Sequence, residues 1–404
     1  MLLQPLPYHL KVRDHFKQQT KTWEFFAAVN NKDGHLAEYK SGLLKNTYKF
    51  DPSIDLIIYN AVDKARSGLG LQGLSVTVYQ TGYTDELNAG IVYHNNEAHI
   101  VFSGPLTTLL DEKELTAVIA HELTHVKLYS MLDGDLEIAD RIISAIANNP
   151  QSEPAHYETA RLYKLYTEIF CDRGAYSVIG ETAPAISGLV KATTGLAKVS
   201  AESYLRQAEE IFAEGSHEKT STVSHPENYI RARALQLWHN KKEAAEDEIV
   251  KMIEGIADID QLDIFRQQEL ANLTREFLQL FLKPKWMQGI LQVSHAKNFF
   301  TDFSLSENSL LTRDLTEKIA KAHNSIRDYL GYLLLDFALA DSSIEEAAFG
   351  WAFQFSEDVA LKNVFEAIVK KELNHSDKKL LQHRSRSLTA FYEVNEKESE
   401  QIYE

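Results

Sequence analysis

Cysteine is almost missing from this chain of 404 residues: Cys171 stands alone, so no intramolecular disulfide can form and nothing points to an oxidising compartment. Positive charge is scarce as well. Lys and Arg number 42 against 58 Asp and Glu, a formal net charge of −16. That balance argues against a nucleic-acid partner, because phosphate-binding faces need clustered Lys and Arg. Long apolar runs are lacking too. The most apolar stretches, near Gly188–Val199 and Leu330–Ala340, are interrupted by Lys191 and Asp336 and fall well short of the roughly 20 apolar residues of a spanning helix. The N-terminal stretch turns charged by Lys11, Arg13 and Asp14, without the pattern of an export signal. The expectation is a soluble, cytoplasmic protein with no membrane span. Short-period repeats and low-complexity segments are absent.

With 44% hydrophobic residues, the chain can bury at least one full core and is expected to form two or three domains. Residues 10–70 read mostly as helix, stopping at Gly68-Leu-Gly70. From Leu74 the period changes. Residues 74–79, 87–94 and 98–102 are rich in β-branched and aromatic side chains and predict three strands of a small antiparallel sheet. The next helix starts at Asp111, which can cap the free amides while Glu114 reaches back, and it carries Leu115, Val118, Ile119, Leu123 and Val126 along one face. Helical patterns follow at 135–148, 155–178 and 183–213, and dominate after Trp238. The predicted class is α+β, predominantly helical. Lys241–Glu248 is a charge-rich run that suggests a junction, giving a first domain of residues 1–240, a helical connector at 241–309 and an all-helical domain at 310–404.

The chemistry sits on the 111–127 helix. His121 and His125 are four apart, so they project from one face and can place two imidazole nitrogens on one Zn²⁺. Glu122 then lies beside the ion, where its carboxylate can take a proton from the attacking water. Such a short pattern also arises by accident; its place on a capped amphipathic helix just after a strand is what favours a metal site. A third protein donor is needed. The elongated histidine spacing would require Gly at 128 and His at 131, where the chain has Leu128 and Met131. A downstream carboxylate is the remaining route: Glu168 and Asp172, four apart on a predicted helix, share a face, with Glu168 placed to bind zinc and Asp172 to orient a histidine. Without the upstream motif, the same pair would read as a solvated acidic face. Cys171 is expected to point away from both, as a small buried residue.

Ala120-His-Glu-Leu-Thr-His125, then Glu168-Ile-Phe-Cys-Asp-Arg173, then Ser224-His-Pro-Glu-Asn-Tyr-Ile-Arg231, in that order, resemble the HtpX and CAAX-prenyl-protease family of zinc metallopeptidases. Leu87-Asn-Ala89 and Ile100–Gly104 look like that family's strand region, and the similarity spans roughly residues 50–235. The resemblance implies a zincin-like fold of the gluzincin type. One zinc ion would be held by His121, His125 and Glu168, with Glu122 as general base and Asp172 behind the ligands. By analogy His225 could hydrogen-bond the tetrahedral oxyanion or cap the metal, and Arg231 could brace Glu168 or the site wall. Read without the family, His225-Pro226 is a turn. Most relatives carry transmembrane helices or an export signal, so their substrates do not carry over.

Ala98, His99, Ile100, Val101 and Phe102 are expected to form an edge strand beside the cleft, to which an extended peptide or unfolded protein segment could pair. In the C-terminal third, the spacing of Asp341, Ile344, Glu345 and Glu346 after an Ala-rich helix looks like TerB-type domains, which implies a partner or metal contact; a helix capped by Asp341 explains the same residues. Trp351, Phe353 and Phe355 read as core. The leading functional expectation is a zinc metalloendopeptidase. A zinc-containing scaffold that binds protein partners through its C-terminal helices, and a zinc enzyme acting on something other than a peptide, remain as alternatives.

Overall fold

The computed structural model describes residues 3–28, 32–82, 84, 86–94, 96–214, 220–306 and 309–398. They fall into two compact units, Met1–Gly255 and Ile256–Glu404, and the described chain is α+β and predominantly helical. No helix among the described residues is long and apolar enough to cross a membrane.

The strands of the first unit are β1 (Thr47–Lys49), β2 (Ser75–Thr81), β3 (Asn88–His94) and β4 (Glu97–Ser103), in the order β1-β2-β4-β3. The sheet is mixed rather than antiparallel, since β2 and β4 run parallel while the two outer pairs are antiparallel. β1 escapes the sequence reading because three residues carry no alternation and hold their shape by pairing with β2.

This order overturns one expectation about the site. Ala98, His99, Ile100, Val101 and Phe102 are not an edge. β4 is hydrogen-bonded on both sides, and Ala98, Ile100 and Phe102 are wholly buried, so no further strand can be added to it. Its near-continuous apolar run is the mark of an internal strand. β3 alternates between exposed and covered residues, as an edge strand does.

Beneath the sheet lies the helix Glu112–Ser130, which we term the motif helix. Its start is the predicted capping box: Asp111 Oδ1 accepts from Glu114 N–H and Glu114 Oε2 from Asp111 N–H, each at 2.9 Å. Glu114 is also buried against Lys191 Nζ at 2.7 Å and accepts from Ser187 Oγ, so the cap is tied to the helix Ala183–Thr194. Leu115, Ile119, Leu123 and Val126 are buried among Ile58, Val62, Val78 and Phe102. Against the motif helix packs the long helix Pro154–Ile179.

These two helices pass close together at Gly174. A Cβ there would lie 2.1 Å from Thr124 Oγ1 and 2.4 Å from Thr124 Cγ2, closer than any real contact. Only glycine lets Thr124 and Gly174 face each other.

His9, on the helix Pro7–Lys17, anchors the N-terminal segment against the long helix. Its Nδ1 accepts from Leu6 N–H and its Nε2 sits 3.3 Å from Thr167 Oγ1, with the ring edge-on to Tyr163. Burial, reinforced by the charge of Arg173, pushes its pKa down to about 3.

The second unit is built from helices that include Ile264–Phe281, Asn324–Leu339, Glu345–Asp358 and Asp377–Glu398. Trp351, Phe353 and Phe355 are buried in its core, where Trp351 stacks on Phe281 and donates its indole N–H to the Phe281 carbonyl. Phe277, Phe281, Met287, Ala296 and Phe303, which the sequence reading placed in a connector, belong to this same core. The charged run at 241–248 lies within the first unit, because Glu246 pairs with Arg173 at 2.7 Å and Ala245, Ile249 and Ile253 are buried. A charge run is solvated only where nothing opposite needs it. Asp341 does not cap the helix at Glu345. It accepts from Ser343 N–H and Oγ in a turn, while Ile344 occupies the cap position and Glu346 pairs with Arg386 and Ser387.

Two outcomes follow. Gly174→Ala should cost about 1–3 kcal/mol by overpacking, read as a lower urea midpoint, and Thr124→Ala in the same chain should recover part of it. His9 is neutral when folded and protonates below about 6.5 when unfolded. Its contribution is therefore complete above that pH and is lost as pH falls towards 3, at up to about 1.4 kcal/mol per unit. His9→Gln should flatten that part of the pH dependence in denaturation curves taken between pH 8 and 5.

Candidate metal centre

The close helix contact fixes what stands opposite what. His121 and His125 lie one turn apart on the motif helix, their rings edge to face with centroids 5.3 Å apart. Glu168, two turns before Gly174 on the long helix, reaches between them. His121 Nε2 is 3.4 Å from Glu168 Oε2, and His125 Nε2 is 3.6 Å from Glu168 Oε1. Donors bound at about 2.0–2.1 Å in a tetrahedron stand roughly 3.4 Å apart, so this spacing fits one small divalent ion.

The state of Glu168 points the same way. It is 5% exposed, and its Oε2 accepts no hydrogen bond, a costly condition for a buried carboxylate oxygen. Burial opposes its charge, but His121 and then Arg231 outweigh that and hold the carboxyl well below the usual carboxylate range. An ionised, incompletely satisfied carboxylate beside two imidazoles is a donor set suited to a cation.

Asp172 lies one turn further along and does a different task. Its Oδ1 is 3.0 Å from His121 Nδ1, and both of its oxygens accept from Arg231, at 2.8 Å from Nε and 2.6 Å from Nη2. With an ion bound, acceptance from His121 Nδ1–H would turn the Nε2 lone pair towards the ion beside Glu168. Arg231 comes from the helix Asn228–Lys241 and is 6% exposed. Its guanidinium is spent mainly on Asp172, with Nη2 3.4 Å from Glu168 Oε2. Burial works against Asp172 being charged, and Arg231 more than offsets it.

The two histidines respond in opposite directions. For His121 burial disfavours the charged form, yet the neighbouring carboxylates of Asp172 and Glu168 prevail and lift its pKa to about 10. His125 has no such partner for its second nitrogen, and burial pushes it down to about 4. Glu122, 8% exposed, is pushed up to about 7 by burial, against the pull of His121 and with the charge of Glu168 adding to the rise.

His121, Glu122, Glu168, Asp172 and Arg231 line an open cleft of about 380 Å³. His225 stands at its rim, exposed, with Nε2 3.7 Å from Glu168 Oε1 and Nδ1 2.9 Å from Ser224 Oγ. Arg161 holds the loop before it by donating to the carbonyls of Thr220 and Thr222. His121, Glu122, His125, Glu168, Asp172, His225 and Arg231 are thus brought together, whereas β4 lies in the core. Cys171 is buried, but it does not point away: its sulfur lies within 4.8 Å of a ring nitrogen of each motif histidine. A step of three residues leaves it close to the Glu168 face. The sequence reading missed the rest of the cleft, formed by β3 residues Asn88 and Ala89, by Val118, and by Gly188, Leu189 and Ala192.

Glu168→Gln should lower zinc affinity at least 100-fold in chelator competition, and Asp172→Asn about 10–100-fold through loss of histidine orientation. Asp172→Asn also strands Arg231, at a cost of about 3–5 kcal/mol in denaturation. Unchanged zinc affinity in Glu168→Gln would remove Glu168 from the site.

Residues 57–149 match the family model described as Peptidase family M48, whose members are zinc-dependent. No curated protein and no solved structure matches the chain. The matched segment contains β2 to β4 and both motif histidines but ends before Glu168, Asp172, His225 and Arg231. Over this segment the chain is similar to the M48 metallopeptidases.

Proposed function

We propose that this protein is a zinc-dependent metalloendopeptidase in which His121, His125 and Glu168 hold one ion and Glu122 is the general base. The observation that carries this reading is the 3.4 and 3.6 Å spacing of Glu168 from the two histidines, with Glu122 in the same cleft and an M48 match across the motif helix. When bound, zinc lowers the pKa of water and polarises the scissile carbonyl.

The chain's own residues supply the remainder. Glu122 accepts the proton of the attacking water on its carboxylate and passes it to the departing amine. Burial that lifts its pKa to about 7 suits a group that must both take and return a proton near neutrality. His225 Nε2, at the rim, is in reach to donate to the oxygen of the tetrahedral centre. Arg231 acts through Asp172 and is a positioning residue. It keeps Asp172 ionised, and Asp172 keeps the His121 ring in one orientation.

An extended peptide pairs with the edge strand β3, whose first residues Asn88 and Ala89 border the cleft. The resemblance to HtpX and CAAX-type proteases supports reading the chain as a peptidase. A purely structural zinc site would gain nothing from a carboxylate such as Glu122 beside it.

Glu122→Gln should keep one zinc per chain by metal analysis and lose about 10²–10⁴-fold in kcat/KM on a peptide library. Retention of full hydrolysis by that variant would refute the assignment of the base, and absence of bound zinc in the wild type would refute the metal centre.

A further inference from the structure

Cys171 lies where the metal centre and the close helix contact meet. It is wholly buried and one turn before Gly174, so it shares the side of the long helix that meets Thr124. Together with Glu168 and Asp172 it makes up one face of that helix, since steps of three and of four residues both return to the same side. Its two neighbours on this face have tasks already. Glu168 stands beside both histidines, and Asp172 serves His121 and Arg231.

A buried cysteine is ordinarily a small apolar filler. The surroundings of this one are polar. Its sulfur and one ring nitrogen each of His121 and His125 all lie within 4.8 Å of one another, and the charges that act on the thiol are those of Glu168, Asp172, Glu122 and Arg231. Donors sharing one tetrahedral zinc, with bonds of about 2.0–2.1 Å to nitrogen and about 2.3 Å to sulfur, stand about 3.6 Å apart. Closing the remaining gap takes at most about 1.2 Å, within the swing of one χ1 rotation. A feature independent of the cysteine also points to a cation here: Glu168 is 5% exposed, and its Oε2 accepts no hydrogen bond. A catalytic zinc site has three protein ligands and an open position, whereas a fourth protein ligand completes the closed tetrahedron of a structural site.

We propose that Cys171 is a fourth protein ligand of this centre: its sulfur closes the position that hydrolysis needs open, so that the chain holds its ion in an idle form. This rests on the metal centre and the peptidase reading above. On coordination the S–H bond breaks, the sulfur keeps the electron pair and donates it to the ion, the proton leaves to solvent, and the water that held the position departs. Nothing is oxidised or reduced. The idle and the open form differ only in whether sulfur or water occupies that one position, and His121, His125 and Glu168 keep the ion in both.

Cobalt is the probe, because Co²⁺ in a zinc site shows visible d–d bands and a thiolate ligand adds an intense sulfur-to-cobalt band in the near ultraviolet. The chain has one cysteine, so such a band has a single source. The cobalt-loaded full chain should show both. Cys171→Ser and Cys171→Ala should keep the visible bands and lose the near-ultraviolet one. In chelator competition they should bind zinc about tenfold more weakly or worse, since losing a ligand costs at least as much as losing a contact that orients one. With saturating zinc, both variants should gain about threefold in kcat/KM on a peptide library, the release of an idle fraction of about two-thirds. Visible bands without the near-ultraviolet band, or variants that fold as wild type does and cut no faster, overturn the proposal and leave the metal centre standing. If cobalt binds but neither wild type nor variant cuts any peptide, the peptidase reading fails and the idle form with it. If the wild type takes up no cobalt, the metal centre itself fails.

Discussion

The site depends on the pairing of Arg231 with Asp172. Three carboxylates, Glu122, Glu168 and Asp172, are each no more than 8% exposed, and burying that much negative charge is affordable only with cations held close. Arg231 donates twice to Asp172 and stands 3.4 Å from Glu168 Oε2. It thereby binds the helix Asn228–Lys241 to the long helix and keeps Asp172 as an acceptor for His121. Charge compensation, histidine orientation and the seating of a third helix are one interaction. The same low-dielectric setting explains why two histidines one turn apart titrate in opposite directions: the carboxylate partner belongs to only one of them.

Helix proximity supplies the geometry that charge alone cannot. Long side chains could bring an imidazole and a carboxylate together across a loose interface, but with mobile ends. The Thr124–Gly174 contact lets the two backbones approach until Glu168 reaches between both histidines. Burial of Leu115, Ile119 and Leu123 on the opposite face of the motif helix then holds its rotation about its own axis. The capping box at Asp111 and Glu114 fixes where that helix begins, and the Glu114–Lys191 pair fixes the cleft wall to the same point. The metal centre and the cleft wall beside it therefore share one anchor.

The reactive groups were legible in the sequence because their signals are local. A four-residue step on a helix places two side chains on one face whatever the rest of the fold does, so His121 with His125 and Glu168 with Asp172 could be paired off without a structure. The capping box was legible for the same reason. Strand order was not: β-pairing is set by which strand lies beside which, and the hairpin of β3 and β4 leaves either strand free to join β2. The near-continuous burial of β4 was the available signal, present in the apolar run from Ala98 to Phe102 that only His99 interrupts. The division at Gly255 was hidden because Lys241–Glu248 looks solvated until Arg173, far away in sequence, supplies a partner for Glu246. Cys171 was expected to point away, yet a step of three residues is most of a helical turn and leaves it near the motif histidines.

The walls of the cleft were illegible for a deeper reason. A catalytic group announces itself through what it carries, whereas a recess is defined by atoms that are missing. Gly188 and Ala192 are unremarkable in a list of helix residues, and only the fold brings them to the cleft. An obligatory glycine and an optional one cannot be told apart by residue type, since both are absences of a side chain. They differ in what the missing atom would strike. At Gly174 it would strike Thr124, so the glycine serves packing; at Gly188 it would rest in ordinary contact on Val118 and Glu114, so packing there does not demand glycine.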